Sequence, residues 1–495
     1  MGLKSLISLH FARYIVKKNF KWKKNAVGVQ KNLLLFLVKK AKATQFGKDH
    51  NFSKISNYSE WKKNVPIRDY EGLKDYIQEI INGEKDVLWP GRPLYFCKTS
   101  GTTSGEKYIP ISIESMPHHI TAARDAILSY IAETKNTSIV NGKMIFLQGS
   151  PELSKTGDVL TGRLSGIVAH HTPLYLKKNQ LPSYNTNCIA DWEEKIDSIL
   201  EETINENMSL ISGIPPWVQM YFEKLQAKNG KLIKDIFPKF DLFIYGGVNY
   251  EPYKQTFEKL IGKKVDKIEL YPASEGFIAY QDSQTEKGML LCVNHGIFYE
   301  FIPSEEFFNE NPNRICLDDV RIGINYVIIL NTDAGLWGYN IGDTIKFVST
   351  NPYRIVVSGR IKHFTSAFGE HVISEEVEKS LQETIAKIST QINEFHVAPQ
   401  VNPESGLPYH EWLVEFEKEP KDIAVFSVMI DSNLQKHNTY YKDLIIGGIL
   451  KPLLITKIKK NGFRDYMKSI GKLGGQNKVP RLANDRKIAD KLNSF

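Results

Sequence analysis

The chain has 495 residues, 42% hydrophobic and 24% charged, with a formal net charge of +8. This length exceeds one ordinary core and predicts two domains, or three subdomains, in a soluble globular protein. No apolar run reaches the roughly 18 residues of a membrane span, because the nearest candidate, Leu444 to Ile455, is interrupted by Lys451 and Pro452. Neither a secretory leader nor a complete myristoylation pattern is read in MGLKSL, where Ser5 precedes the required position. The four cysteines (Cys97, Cys188, Cys292, Cys316) lack C-x-x-C spacing. They read as reduced thiols of a cytoplasmic protein, not as a zinc site or a disulfide set.

The first eighty residues read as helical. They include LLLFLVKKA near Leu33 and the stretch Tyr70 to Glu84, with Gly83 as its stop. Residues 1–50 hold twelve Lys and Arg against one acid, Asp49. That excess reads as a solvated helical face, with a membrane surface or nucleic acid as the sharper alternatives. Aromatic and basic residues do not interleave in an RNA-binding pattern, so nucleic acid is not an expected partner.

A turn at WPGRP leads into a strand ending at the loop Thr99 to Lys107, and a helix is predicted after Ser115. Lys143 to Gln148 reads as a strand, Asp191 to Glu206 as an amphipathic helix, Leu210 to Ile214 as a buried strand, and a helix follows from Pro216. From Asp241 the pattern is strand, turn, helix, strand (DLFIYGG, then Tyr253–Leu260, then KIELYPASEG), which predicts a parallel α/β sheet. Residues 289 to 358 are almost all strand, and a smaller second domain is predicted beyond, opening with a helix over Ser374–Ile388.

Five motifs carry the chemistry. The loop TSGTTSGEK, Thr99 to Lys107, is either an exposed turn or a cradle for a polyphosphate. Its glycines admit backbone N–H groups, its hydroxyls donate, and Lys107 brings charge. It lacks the spacing of a Walker A loop. YPASE, Tyr271 to Glu275, stands at a strand end, where ligands of α/β sheets bind. There an aromatic stacks on a base, Ser274 reaches phosphate and Glu275 suits Mg2+. Asp343 in WGYNIGD is either a β-turn acid or an acceptor for ribose hydroxyls. SGR, Ser358 to Arg360, is a candidate hinge, and GGQNKVPR, Gly474 to Arg481, is either a basic surface loop or a mobile loop that delivers Lys478 to a reacting centre.

In this order the motifs resemble the adenylate-forming superfamily. Specifically, the chain looks like a bacterial member of the auxin-responsive Gretchen Hagen family of acyl-acid amido synthetases. The likeness runs through TSGTTSGEKYIP, YPASEG, GLWGYNIGD, GRIKHFTSAFGEH and GGQNKVPRL, and also through LWPGRPLYF and NHGIFYEFIP. Two departures stand out. Ser104 and Glu106 replace the glycine and proline of the common phosphate loop, and Lys362 stands where acyl-CoA ligases carry a hinge acid. Both move the chain away from those ligases.

The resemblance implies an α/β adenylate-forming fold. Residues 1–360 would form a large N-terminal domain with parallel and mixed sheets and a barrel-like subdomain, and 361–495 a small mobile α+β domain carrying Lys478. It implies ATP and Mg2+ as cofactors, and a carboxylic acid and an amine, an amino acid by resemblance, as substrates. Ser100, Thr102, Thr103 and Lys107 would hold the β- and γ-phosphates. Tyr271, with Gly246 and Gly247, would lie beside adenine, and Ser274 near the α-phosphate. Glu275 would bind Mg2+, Asp343 the ribose, and Arg360 would stand at the hinge beside the nucleotide. Lys478 would neutralise charge as the acyl-adenylate forms. An acyl pocket is expected against Gly246 and Gly247, with Ser212 to Val218 as another wall, where Trp217 and Tyr250 serve either as lining or as core. The rival readings are an acyl-CoA ligase of the same superfamily and a non-catalytic nucleotide-binding protein.

Overall fold

The computed structural model describes residues 3–102, 105–247, 250, 253–304, 306–307, 309–361, 364–365, 367–370, 372–470 and 479–494. Two long helices open the chain, α1 (Leu3–Lys24) and α2 (Ala26–Ala41). Short helices follow. The expected single helix over residues 70–84 is instead a 3-10 turn, Glu71–Leu73, that runs into the helix Lys74–Ile81. At this turn the Asp69 side chain accepts from the Gly72 N–H at 3.4 Å.

The strands run in chain order as β1 (Tyr95–Thr102), β2 (Gly105–Ile111), β3 (Lys143–Phe146), β4 (Ser154–Thr156), β5 (Val159–Gly162), β6 (Gln180–Leu181) and β7 (Met208–Ser212). They continue as β8 (Leu242–Gly246), β9 (Asp266–Ala273), β10 (Gly276–Tyr280), β11 (Met289–Leu291), β12 (Ile297–Pro303), β13 (Asn325–Thr332), β14 (Tyr339–Thr350) and β15 (Tyr353–Arg360). The last are β16 (Phe364–Thr365), β17 (Val372–Ile373), β18 (Gln391–Gln400), β19 (Tyr409–Lys418) and β20 (Leu454–Ile458).

The main sheet has eleven strands in the order β12-β13-β14-β15-β11-β10-β9-β8-β7-β3-β6. Its β9-β8-β7-β3-β6 half is parallel, as the strand–helix alternation predicts. The strand-rich stretch from 289 forms the antiparallel half of the same sheet. A four-stranded sheet, β2-β1-β5-β4, and a three-stranded sheet, β18-β19-β20, complete the layers, with the pair β16-β17 between them in sequence.

Local chemistry sets the helix ends. Asp191 accepts from the Glu194 N–H at 2.8 Å and starts the helix Trp192–Thr203. Pro215 opens the helix Pro215–Asn229, and Gly230, at φ 65°, ends it in the left-handed region. One core lies on the main sheet under α1 and the helix Met116–Thr134. A second surrounds Trp337, whose ring centroid stands 5.2–6.1 Å from those of Phe46, Phe52, Trp61 and Trp89. Trp337 also donates Nε1–H to the Leu88 carbonyl at 2.9 Å. Its motif is therefore anchored in the core just before β14 begins. No helix among the described residues is long and apolar enough to cross a membrane, and the four cysteines are free.

Candidate active site

Because β3, β7, β8 and β9 are parallel, their carboxyl ends share one edge of the sheet. That edge carries the loops after β3 (from Leu147), after β7 (Gly213 and Ile214), at the end of β8 (Gly246 and Gly247), and after β9 (Ser274 and Glu275). Such an edge is where open α/β sheets bind ligands. Gly246 pairs in register with Leu270, and a Cβ there would stand 2.5 Å from the Leu270 carbonyl oxygen. Gly247 has φ 81° and nothing within 4 Å of where its Cβ would be. Ser274 and Glu275 are the two central residues of the tight β9–β10 hairpin, in which Ala273 faces Gly276.

The β1–β2 hairpin meets this edge from the second sheet. Cys97 donates its S–H to Ser274 Oγ at 3.1 Å, and burial pushes that thiol up to about 12, so Cys97 stays a neutral strut. Beyond Cys97 the strand continues into the hydroxyl-rich loop, with Thr99 opposite Lys107. Lys107 lies half-buried with its ammonium 5.8 Å from the Tyr70 ring centroid. Lys98 and Glu106 pair at 2.6 Å on the same hairpin. The side chains of Ser100 and Thr102, and all of Thr103, lie outside the described residues.

A third element completes the edge. Tyr271 donates its hydroxyl to Asp343 Oδ2, and the buried Asp343 stands opposite Arg360 in the β14–β15 register. The structure thus brings Gly246, Gly247, Tyr271, Ser274, Glu275 and Asp343 to one edge, with β1 linked to it through Cys97. The Arg360 side chain and Lys478 lie outside the described residues.

The C-terminal segment touches this edge at several points. Tyr440 donates to the Lys98 carbonyl at 3.4 Å, and Arg163 pairs with Asp443 at 2.5 Å while stacking 4.8 Å from the Tyr440 ring centroid. Tyr253 donates to the Ala367 carbonyl at 2.5 Å. Just beyond Ala367, Glu370 accepts from the Phe368 N–H at 2.8 Å and from His410 Nε2 at 2.7 Å, both side chains fully buried. Apart from Phe368–Glu370, these contacts join residues distant in sequence; Ala367 and Glu370 lie in the GRIKHFTSAFGEH motif, which does not by itself name their partners Tyr253 and His410.

Beyond the end of β8, Tyr250 is buried among Phe243, Tyr245 and Phe257, and Trp217 packs between that cluster and the C-terminal core. Gly213 is close-set, since a Cβ there would come within 2.9 Å of Val218 and 3.1 Å of Leu147. Lys195 was not read from sequence. It is buried, donates to the Gln148 and Asn187 carbonyls at 3.1 and 2.7 Å, and burial lowers its ammonium to about 8.

Residues 16–190 match the GH3 family N-terminal domain, residues 290–360 the GH3 family central domain, and residues 375–487 the GH3 family C-terminal domain. The chain belongs to the GH3 family. Among its relatives, the indole-3-acetic acid-amido synthetase GH3.3 of Arabidopsis thaliana is 21% identical over 95% of this chain and 92% of its own. The jasmonoyl–L-amino acid synthetase JAR4 of Nicotiana attenuata is 21% identical over 65% of this chain and 67% of its own. A solved GH3.15 acyl acid amido synthetase superposes with a TM-score of 0.60 at 16% identity, over 96% of this GH3 chain and 94% of that one. A 2-hydroxyisobutyryl-CoA ligase in its thioesterification state superposes with a TM-score of 0.59 at 13% identity, over 96% and 93% of the two chains. The fold is thus shared between amide-forming and thioester-forming ligases.

Proposed function

We propose that this GH3 protein is an ATP-dependent acyl-acid amido synthetase. It adenylates a carboxylic acid with release of pyrophosphate, then passes the acyl group to an amine, of the amino acid class, with release of AMP. The observation that carries this reading is the match to all three GH3 family domains in a chain whose chemical motifs gather on one sheet edge. A free carboxylate resists attack by an amine because its oxygen is a poor leaving group, and adenylation converts that oxygen into a phosphate ester.

The placement of the described residues supports the roles that the resemblance implies. The loop after Cys97, with Ser100, Thr102, Thr103 and Lys107, holds the β- and γ-phosphates. The end of β8 is kept free of side chains at Gly246 and Gly247, so a flat purine can approach the backbone there beside Tyr271. Ser274 faces the α-phosphate, Asp343 accepts from ribose hydroxyls, and Arg360 lies beside it. Glu275, half-buried in its hairpin turn, offers one carboxylate, and magnesium bound with nucleotide phosphates needs only one or two. When bound there, Mg2+ would supply charge neutralisation on the phosphates. Lys478 stabilises charge on the acyl and α-phosphate oxygens, a job worth about 2.7–4 kcal/mol for one well-placed donor.

We propose the same division as the sequence suggests, residues 1–360 and 361–495, with the second unit moving between half-reactions. The end of the main sheet at Arg360 supports it, as does the small polar contact through Arg163 and Asp443. Free cysteines support a cytoplasmic setting.

The test is carboxylate-dependent ATP–pyrophosphate exchange with pooled acids, beside Lys478→Ala, followed by product analysis with pooled amino acids or CoA. Exchange that needs an acid and collapses in the variant supports adenylation, and amide product with no thioester selects the synthetase. Thioester product selects the ligase reading. ATP binding without exchange across a wide acid pool selects the non-catalytic reading.

A further inference from the structure

Helix α1 carries apolar side chains on both faces. Leu9, Ala12, Ile15 and Trp22 are buried in the core shared with the helix Met116–Thr134. On the opposite face Ile7, Phe11 and Tyr14 stand 58%, 42% and 62% exposed. Their spacing of four and three residues sets them on one stripe. The next two turns of that face present Lys17, Lys18 and Lys21, all exposed. A helix that meets only water on its outer side carries polar residues along it, whereas the first turns of this face carry Ile7, Phe11 and Tyr14. On α2, Leu35 and Phe36 are exposed one turn before Lys39 and Lys40.

Charge selects the occupant. Of the twelve cations in residues 1–50, Lys23 and Lys31 pair with Asp282 and Asp318 at 2.7 and 2.8 Å, and the lone acid Asp49 accepts from Tyr76 at 2.8 Å. A second copy of the chain, docked through the same face, would bring no acid from α1 or α2 to meet these lysines. Nucleic acid would match the lysines but would leave Ile7 and Phe11 in water. An anionic bilayer matches both, since acyl chains take the apolar stripe and headgroup phosphates take the ammonium groups.

We propose that the outer face of α1 docks this protein on anionic lipid membranes, lying in the interface plane without crossing. The surface is independent of the catalytic reading, because its residues belong to none of the motifs assigned there.

The experiment is sedimentation of the full chain with vesicles of phosphatidylcholine alone and with added phosphatidylglycerol. Two combined variants accompany it, Ile7→Glu with Phe11→Glu and Tyr14→Glu, and Lys17→Glu with Lys18→Glu and Lys21→Glu. All six positions are exposed, and circular dichroism checks the fold of each variant. The expected result is binding to the anionic vesicles only, reduced at least about tenfold in each variant and weakened by high salt. Protein left in the supernatant with anionic vesicles at low salt overturns the proposal, as does equal binding by the folded variants. A dimer that the Ile7 variant dissolves, without vesicle binding, also overturns it and gives the face to a second copy.

Discussion

Tyr271 hydrogen-bonds Asp343 across 72 residues of sequence, so the end of parallel strand β9 and the strand β14 of the antiparallel half meet in one polar contact. The aromatic ring and the acid are thereby fixed relative to each other, and under the proposed roles this removes part of the ordering cost of binding a nucleotide.

If Asp343 holds the ribose, Asp343→Asn removes a charged acceptor worth about 1.5–3 kcal/mol. The expected loss in kcat/KM for ATP is about 10- to 150-fold. Tyr271→Phe keeps the ring and removes only the hydroxyl, for about 1 kcal/mol, near fivefold. Pyrophosphate exchange over a range of ATP concentrations reads both. Unchanged ATP dependence in the Asp343 variant removes the residue from the nucleotide site.

Gly246 and Gly247 should respond differently to alanine. At Gly246 the new Cβ meets the Leu270 carbonyl, a backbone atom 2.5 Å away that cannot rotate aside. A cost of about 1–3 kcal/mol is expected. Gly247→Ala meets nothing within 4 Å and carries only the strain of a left-handed backbone, about 1 kcal/mol. Urea midpoints at fixed slope give the order, and a larger cost at Gly247 would contradict the close approach of β8 to β9.

Two ion pairs of similar length should differ sharply. Glu300 is fully buried and accepts from Arg314 at 2.7 and 2.9 Å, from Asn331 at 2.9 Å, from Tyr58 at 3.0 Å and from Trp61 at 3.2 Å. Glu300→Ala strands the buried Arg314 cation, at about 3–5 kcal/mol. Arg163–Asp443 is exposed on both sides, so Asp443→Ala should cost about 1 kcal/mol or less. Denaturant unfolding compares them directly.

Acid should weaken the fold through two buried histidines. Burial, with His118 next to it, lowers His119 to about 4, and burial, with His118 and Arg124 near, lowers His295 to about 3. Below about pH 6.5 the unfolded chain takes up protons that the folded chain refuses, so stability falls as pH drops from 6.5 toward 4. For His119 the full loss is about 3 kcal/mol. His119→Gln should flatten the stability slope between pH 6.5 and 5, above most carboxylate titrations. An unchanged slope would locate the acid sensitivity elsewhere.

The placement of the candidate residues was legible in sequence wherever chemistry and local geometry coincide. Ser274 and Glu275 follow a strand and form its turn, and the glycine pair ends a buried β-run, so their common edge follows from strand–helix alternation. Trp337 was legible as part of a motif but not as the centre of an aromatic core. The contacts Cys97–Ser274, Arg163–Asp443 and Tyr58–Glu300 were not legible, because pairing across 177, 280 or 242 residues leaves no periodic trace. The 3-10 turn Glu71–Leu73 was not legible because residues 70–84 keep a helical apolar spacing through it.

Cys97 offers a clock for the seam between the two sheets. Its sulfur is buried, protonated at neutral pH and held against Ser274, so a thiol reagent reacts with it only during the moments when β1 lifts from the β9–β10 turn. Its alkylation rate, resolved from the other three cysteines by peptide mapping, therefore counts openings of the seam, and a nucleotide that grips both sides, as proposed, would slow that clock.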